Sequence, residues 1–254
     1  YKLIKQMVKE RRNFWLEFDI RNHFKLGPVK YHNVVASIKG TKYPDEYVII
    51  SGHLDSYDVA TGGIDCGTGI GPMMEAARMI ALSGAKPKRT ILFVAFAGEE
   101  FGLLGAKAYV KTHAKELGKI ANLFNRDGGP TPPVGISVPQ AMYDDFVEVC
   151  KPVKEICADY PFEVKVAKPF KRPTQSGGTD ASVFAVEGVP TFGFNTQDIK
   201  GYNFSYGEIW HTERDLYTKN IPEYQEHAAT VTAVVALGIA NLSKQLSREG
   251  MHKK

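Results

Sequence analysis

Three short runs in this 254-residue chain, "YVII", "ILFVAF" and "IANLF", are apolar at every position but Asn122. A strand with one wet face alternates polar and apolar residues; a continuous apolar run rich in Val, Ile and Phe suits a strand covered on both faces. Helical patterns separate the runs. In "GIGPMMEAARMIALSG" Met73, Ala77, Ile80 and Ala81 recur at helical spacing, with Gly84 as a stop. "GLLGAKAYVKTH", residues 140–158, a short helix after "SGGTD" and a final helix over 221–246 follow, the last with Pro222 near its start. "FEVKVAK" and "VPTFGFNT" read as further strands. Strands alternating with helices predict an α/β protein, a three-layer α/β/α sandwich on a mixed, mostly parallel central sheet.

The N-terminal part reads differently. Residues 3–12 suggest a charged amphipathic helix. "FWLEFDIRNHFKL" sets Trp15, Glu17 and Asp19 against Leu16, Phe18 and Ile20, the period-two sign of a half-buried strand. "GPV" is a turn and "YHNVVASIKG" a returning strand, which predicts an antiparallel hairpin at the sheet edge. With no internal repeat, low-complexity tract or long linker, one domain over 1–254 is the simplest organisation.

A net charge of +4, dispersed along the chain, gives no reason to expect a nucleic-acid partner, and no apolar run has the length of a membrane span. Cys66, Cys150 and Cys157 are too few and too scattered for a disulfide framework or a thiolate metal site, and are read as structural thiols.

In α/β sheets, ligands bind beyond the carboxyl ends of the strands. There the chain places its metal-capable groups: His53, Asp55 and Asp65 after "YVIISG", Glu99 and Glu100 after "ILFVAFAG", Asp127 after "ANLFNR", and His211 and Asp215 in "EIWHTERD". Taken singly, each has an ordinary reading: a loop histidine, helix N-terminal charges for Glu99 and Glu100, turn chemistry for Asp127 before two glycines. Taken together and in order, they suit a pair of divalent ions. Imidazole with carboxylate favours zinc. Two ions about 3.5–4 Å apart need a bridging carboxylate and further groups on each. His53, His211, Asp65, Glu100 and Asp127 meet that count and leave Glu99 beside the ions as a general base. Asp55, two residues from His53 in an extended segment, is placed to orient the imidazole through its carboxylate. His23, His32, His113, His227 and His252 lack such surroundings and are read as surface or structural residues.

The motifs "SGHLDS", "GIDCGTG", "FAGEEFGLLGAKAYV", "NRDGG" and "WHTERD" resemble, in that order, those of the M28 family of co-catalytic zinc metallopeptidases. The likeness runs from about Asn33 to Asn241, and "YGEIWHTERD" looks most like the plasma glutamate carboxypeptidase branch. The resemblance implies a phosphorylase/hydrolase-like sandwich and two zinc ions. His53, Asp65 and Asp127 would hold one ion; Asp65 would bridge to the second, held also by Glu100 and His211. Glu99 would be the general base, and Asp55 would support His53. It implies an exopeptidase acting on peptides or dipeptides through a metal-bound water, in a secreted or periplasmic setting, and leaves a homodimer open. Two positions depart from the family pattern: Cys66 follows Asp65 where Asn or Asp is common, and "GTDASVF" carries Ala181 where a His is common. Tyr206 and the loop of Trp210 are weak candidates for steadying an oxyanion. Lys171 or Arg172, in a basic stretch, could hold the carboxylate of a dipeptide, although a solvated basic loop is the simpler reading. The rival activities are a zinc-dependent deacylase of N-acyl amino acids and a single-zinc glutaminyl cyclase; the full ligand set argues against the second.

Overall fold

The computed structural model describes residues 1–21, 23 and 27–253. The chain divides into two compact units, Tyr1–Lys30 and Tyr31–Lys254. The first holds helix α1, Lys2–Lys9, which buries none of its residues. The remaining elements belong to the second unit: β1 Val34–Ile38, β2 Tyr43–His53, α2 Gly67–Leu82, β3 Arg89–Phe96, α3 Leu104–Thr112, β4 Ile120–Asn125, β5 Pro133–Pro139, α4 Tyr143–Ile156, β6 Glu163–Ala167, β7 Phe170–Lys171, α5 Ala181–Val186, β8 Phe194–Thr196, α6 Pro222–Ala240 and β9 Met251–Lys253.

The apolar runs form the centre. The first sheet has the order β1-β3-β2-β4. β2 is parallel to both β3 and β4, and β1 is antiparallel to β3. Alternate residues of each run serve opposite faces. Val48 and Ile50 of β2, and Ile91, Phe93 and Ala95 of β3, meet Met73, Ala76 and Ile80 of α2, Phe146 and Val153 of α4 and Val235 and Ile239 of α6. Ile49, Val94, Phe96 and Leu123 face the other way, onto Ala106, Tyr109 and Val110 of α3 and Val183 and Phe184 of α5. Helices therefore cover both faces of a mixed, mainly parallel sheet, the α/β/α arrangement expected. A second sheet, β6-β5-β8, adjoins the first: Leu123 of β4 takes the Pro190 carbonyl and bridges to Thr191, just ahead of β8.

Two local expectations fail, and one strand goes unread in the sequence. The predicted N-terminal hairpin does not form. β1 matches the returning strand, but its partner is β3, with Val34 opposite Ala95. Residues 12–21 carry no strand, and residues 22 and 24–26 of the predicted partner lie outside the described residues. Trp15 is 97% exposed and Phe18, on the other side of the alternation, 75%. Alternation makes a strand only where a core receives one set of side chains, and here both sets face water. The final helix ends at Ala240 rather than 246. Lys88 binds the Asn241 side chain and carbonyl, and Arg89 donates to the Leu242 carbonyl at 2.6 Å, so tertiary donors draw the chain out of the helix. β5 was hidden in "PPVGISVP" because its prolines suggest a loop; they stand at the two ends of the strand, where a missing N–H is tolerated.

Close backbone approach fixes the start of α2. A Cβ on Gly69 would collide with the Arg126 carbonyl and the Cys66 sulfur, whereas one on Gly71 would meet nothing within 4 Å. Gly69→Ala is therefore expected to lower unfolding free energy by about 2 kcal/mol, and Gly71→Ala to leave it unchanged or raise it by up to about 1 kcal/mol through helix propensity. Urea denaturation of the two variants beside wild type measures both.

Candidate metal centre and active site

Parallel pairing brings the expected residues together. β2 and β3 align His53 with Phe96, so Glu99 and Glu100 emerge beside His53. β2 and β4 align Ser51 with Asn125, which places Asp127 on the other flank. The loop after His53 returns Asp65 to the same point, where its Oδ1 lies 2.9 Å from His53 Nε2; Asp127 Oδ1 lies 3.4 Å from that nitrogen. The Asp65–Cys66 peptide is cis. Asp65 is held from behind by Asp215, whose carboxylate accepts the backbone N–H groups of Ile64 (2.6 Å) and Asp65 (3.2 Å). Its second oxygen, Oδ2, accepts from the Tyr206 hydroxyl at 2.8 Å.

The Asp55 carboxylate does not make the contact expected of it. His53 Nδ1 is 2.9 Å from the Asp55 main-chain carbonyl and 3.8 Å from its carboxylate. That carbonyl orients the ring, leaving Nε2 for the site. The carboxylate instead accepts the backbone N–H groups of Glu99 and Glu100, both at 3.1 Å. The extended spacing that suggested a side-chain contact turns the carboxylate across to the end of β3.

Glu100 and His211 form the other half, with Oε2 3.0 Å from Nε2. His211 has a left-handed backbone, φ 56°. Tyr57 stacks on its ring at 4.1 Å and 4°, and Trp210 lies against it at 4.2 Å. A flat stack on one face leaves the imidazole little rotational freedom. Sequence reasoning gave no role to Tyr57 and none beyond a metal-capable side chain to Asp215. Their partners lie about 150 residues away along the chain, and an aromatic beside Asp55 was the one local sign.

The electrostatics are those of an acid-rich site with buried walls. Burial pushes Glu99 up to about 8; His53 opposes this, while Asp127, Asp180 and Glu100 add to it. Burial also raises Glu100, reinforced by Asp65. Burial works against protonated His53, but hydrogen bonds to Asp127 and Asp65 outweigh it, so its pKa is raised. Asp65 moves the opposite way: burial is overcome by the His53 and Tyr206 hydrogen bonds. Glu100 Oε1 is buried with no partner. Ligand atoms of His53, Asp65 and Glu100 lie within 4.8 Å of one another, as do those of His53, Cys66 and Asp127. Buried carboxylates converging on imidazole, one with an orphaned oxygen, fit a divalent cation. Cys66 fits less well, because burial raises its pKa and its thiol donates to the Arg126 carbonyl at 3.0 Å.

A cavity of about 590 Å³ opens over these groups, lined by Asp65, Glu99, Glu100, Asp127, Tyr206 and His211 and walled by Trp210 and the 176–179 loop. Lys171 and Arg172 are not on it. Lys171 lines a separate cavity near the C-terminus, and Arg172 donates to the Val186 carbonyl at 2.5 Å. The carboxylate-binding alternative for this basic stretch is thereby ruled out: the β7–β9 pairing carries it away from the site.

Asp180, fully buried at the start of α5, has no partner for either oxygen. Burial pushes it up to about 7, opposed by His53 and reinforced by Asp127 and Asp55. The folded chain keeps this proton to about pH 7, while an unfolded carboxyl releases it near 3.8. Stability is therefore lost as pH rises through that window, and the loss is complete above it. Asp180→Asn is expected to match wild type near pH 4 and to exceed it by roughly 2–4 kcal/mol at pH 8 in chelator, as read by denaturant unfolding.

A sequence profile described as Peptidase family M28 matches residues 33–235. Carboxypeptidase Q from Rattus norvegicus is 32% identical over 231 residues, which cover 89% of this chain and 46% of the relative. A crystal structure of a Peptidase M28 precursor from Shewanella amazonensis aligns with a TM-score of 0.71 at 33% identity, covering 85% of this chain and 46% of its own. A zinc aminopeptidase from Bacillus subtilis shares the fold, with a TM-score of 0.63 at 21% identity over 87% of this chain and 53% of its own. The chain thus spans about half the length of the relatives it matches. With the profile covering most of the chain and its motifs gathered on one cavity, this protein belongs to Peptidase family M28.

Proposed function

We propose that the chain is a two-zinc exopeptidase that cleaves peptide bonds at or near the N-terminus of peptides, or in dipeptides. The observation that carries this reading is the cavity at the strand ends, where His53, Asp65 and Glu100 offer ligand atoms within 4.8 Å of one another and Glu99 stands on the same wall. Similarity to carboxypeptidase Q and to a zinc aminopeptidase supports both the metal and the reaction class.

In this reading His53, Asp65 and Asp127 would hold one ion, and Asp65, Glu100 and His211 would hold the other. Bound zinc supplies Lewis acidity, lowering the pKa of water and polarising the scissile carbonyl. The remaining work falls to protein groups. The Asp55 carbonyl fixes the His53 tautomer, so that Nε2 carries a lone pair into the site. The Asp55 carboxylate pins the Glu99–Glu100 backbone, which sends Glu100 to the ligand set and leaves Glu99 free. Glu99 accepts the proton of the attacking water and returns it to the leaving nitrogen. Tyr206 donates to Asp65 and holds that carboxylate's second oxygen. A secreted or periplasmic setting belongs to the same reading and rests on the family.

Glu99→Gln keeps the shape of the wall and removes the base. It is expected to bind as much zinc as wild type and to lose about three orders of magnitude in kcat on leucyl-p-nitroanilide and a dipeptide panel. Wild-type activity should vanish in chelator and return with zinc. A Glu99→Gln protein that retains its turnover contradicts the assignment. Hydrolysis of N-acyl amino acids in place of free-amine substrates would favour the deacylase.

A further inference from the structure

Lys107 contributes the sole lysine or arginine side chain among the described residues lining the candidate active-site cavity. It is the fourth residue of α3 and closes that helix's first turn. Side chains on a helix lean toward its N-terminus, and Lys107 leans back over the first turn until its Nζ donates to the Gly102 carbonyl at 2.8 Å. Gly102 N–H in turn bonds the Glu99 carbonyl at 2.9 Å. These two residues close one tight turn, so their Cα atoms lie within about 7 Å. The ammonium is thus parked one turn from the proposed base, at the mouth of a cavity whose other charged walls are Asp65, Glu99, Glu100 and Asp127. Its one hydrogen bond among the described residues is to a backbone carbonyl, and no carboxylate pairs with it. Gly177 and Gly178, on the facing loop, leave space between.

We propose that Lys107 recognises a carboxylate of the substrate, which makes peptides with a free carboxylate just beyond the scissile bond, dipeptides first among them, the preferred substrates. This rests on the hydrolytic reading above and names the substrate class for it. A carboxylate can come from the C-terminus of a dipeptide or from an acidic side chain in the leaving residue. Both would draw the ammonium off the Gly102 carbonyl into a charge-assisted hydrogen bond.

The test compares Leu-Gly, Leu-Gly-amide and Leu-Glu-amide in two ways: kcat/KM with the zinc-loaded enzyme, and equilibrium binding by titration calorimetry to zinc-loaded Glu99→Gln. Each is repeated with Lys107→Met and Lys107→Arg. The expected result is a preference for Leu-Gly over its amide of about tenfold, the low end for a hydrogen bond to a charged group. That preference falls to near unity in Lys107→Met and survives in Lys107→Arg. Recovery of the preference by Leu-Glu-amide identifies the side chain as a second source of the same chemistry. Equal handling of Leu-Gly and its amide, or a preference unchanged in Lys107→Met, overturns the proposal. The two readings fail separately: hydrolysis without the preference overturns the Lys107 assignment alone, and a Lys107-dependent binding preference without hydrolysis overturns the peptidase reading alone.

Discussion

The Asp65 carboxylate is held from two directions at the centre of the cavity wall. One oxygen faces His53 at 2.9 Å and the other takes the Tyr206 hydroxyl at 2.8 Å. A carboxylate aimed in two directions needs a backbone that does not move, and Asp215 supplies it by accepting the N–H groups of Ile64 and Asp65 while its main chain takes the Thr61 hydroxyl and amide. Buried charge-assisted hydrogen bonds of this kind are among the stronger fixed contacts in a protein. The 54–66 loop is in this way tied to the segment carrying Tyr206 and His211, and residues from distant parts of the chain share one cavity.

The sheet sets the edge at which this happens. Parallel strands deliver all their carboxyl ends to one side, so β2, β3 and β4 release His53, the Glu99–Glu100 pair and Asp127 within reach of one another. Helices on both faces then bury the acids. Glu99 at about 8 and Asp180 at about 7 register the strain of that crowding, with burial as its largest cause. Protein groups alone leave the Glu100 Oε1 and both Asp180 oxygens without partners. A fold that tolerates such an arrangement gives up stability where it gains function.

Much of this was legible in the sequence. Continuous apolar runs predicted strands buried on both faces because no half-wet strand can be written that way, and the candidate site residues His53, Glu99, Glu100 and Asp127 stand at or just beyond the carboxyl ends of those strands. What escaped was whatever depends on long-range geometry. The alternation at 14–20 was genuine, but alternation cannot report whether a core exists to receive it. "PPVGISVP" concealed β5 because composition does not say where in a strand a proline falls. Asp55 was assigned the right neighbourhood and the wrong contact, since spacing does not distinguish its carbonyl from its carboxylate. Lys171 and Arg172 stand out as a basic cluster, yet among the described residues it is Lys107, an ordinary helix lysine by pattern, that brings a lysine or arginine to the cavity. Tyr57, Tyr206 and Asp215 act on residues far away in the chain, so local pattern can single them out but cannot name their partners.

The most direct test of the two-metal reading is zinc stoichiometry and affinity, measured by elemental analysis and competition titration on wild type and Asp65→Ala. If Asp65 bridges two ions, wild type binds two equivalents and the single substitution weakens both together. One equivalent in wild type, or an Asp65→Ala protein that keeps one site at full affinity, would contradict the bridged pair.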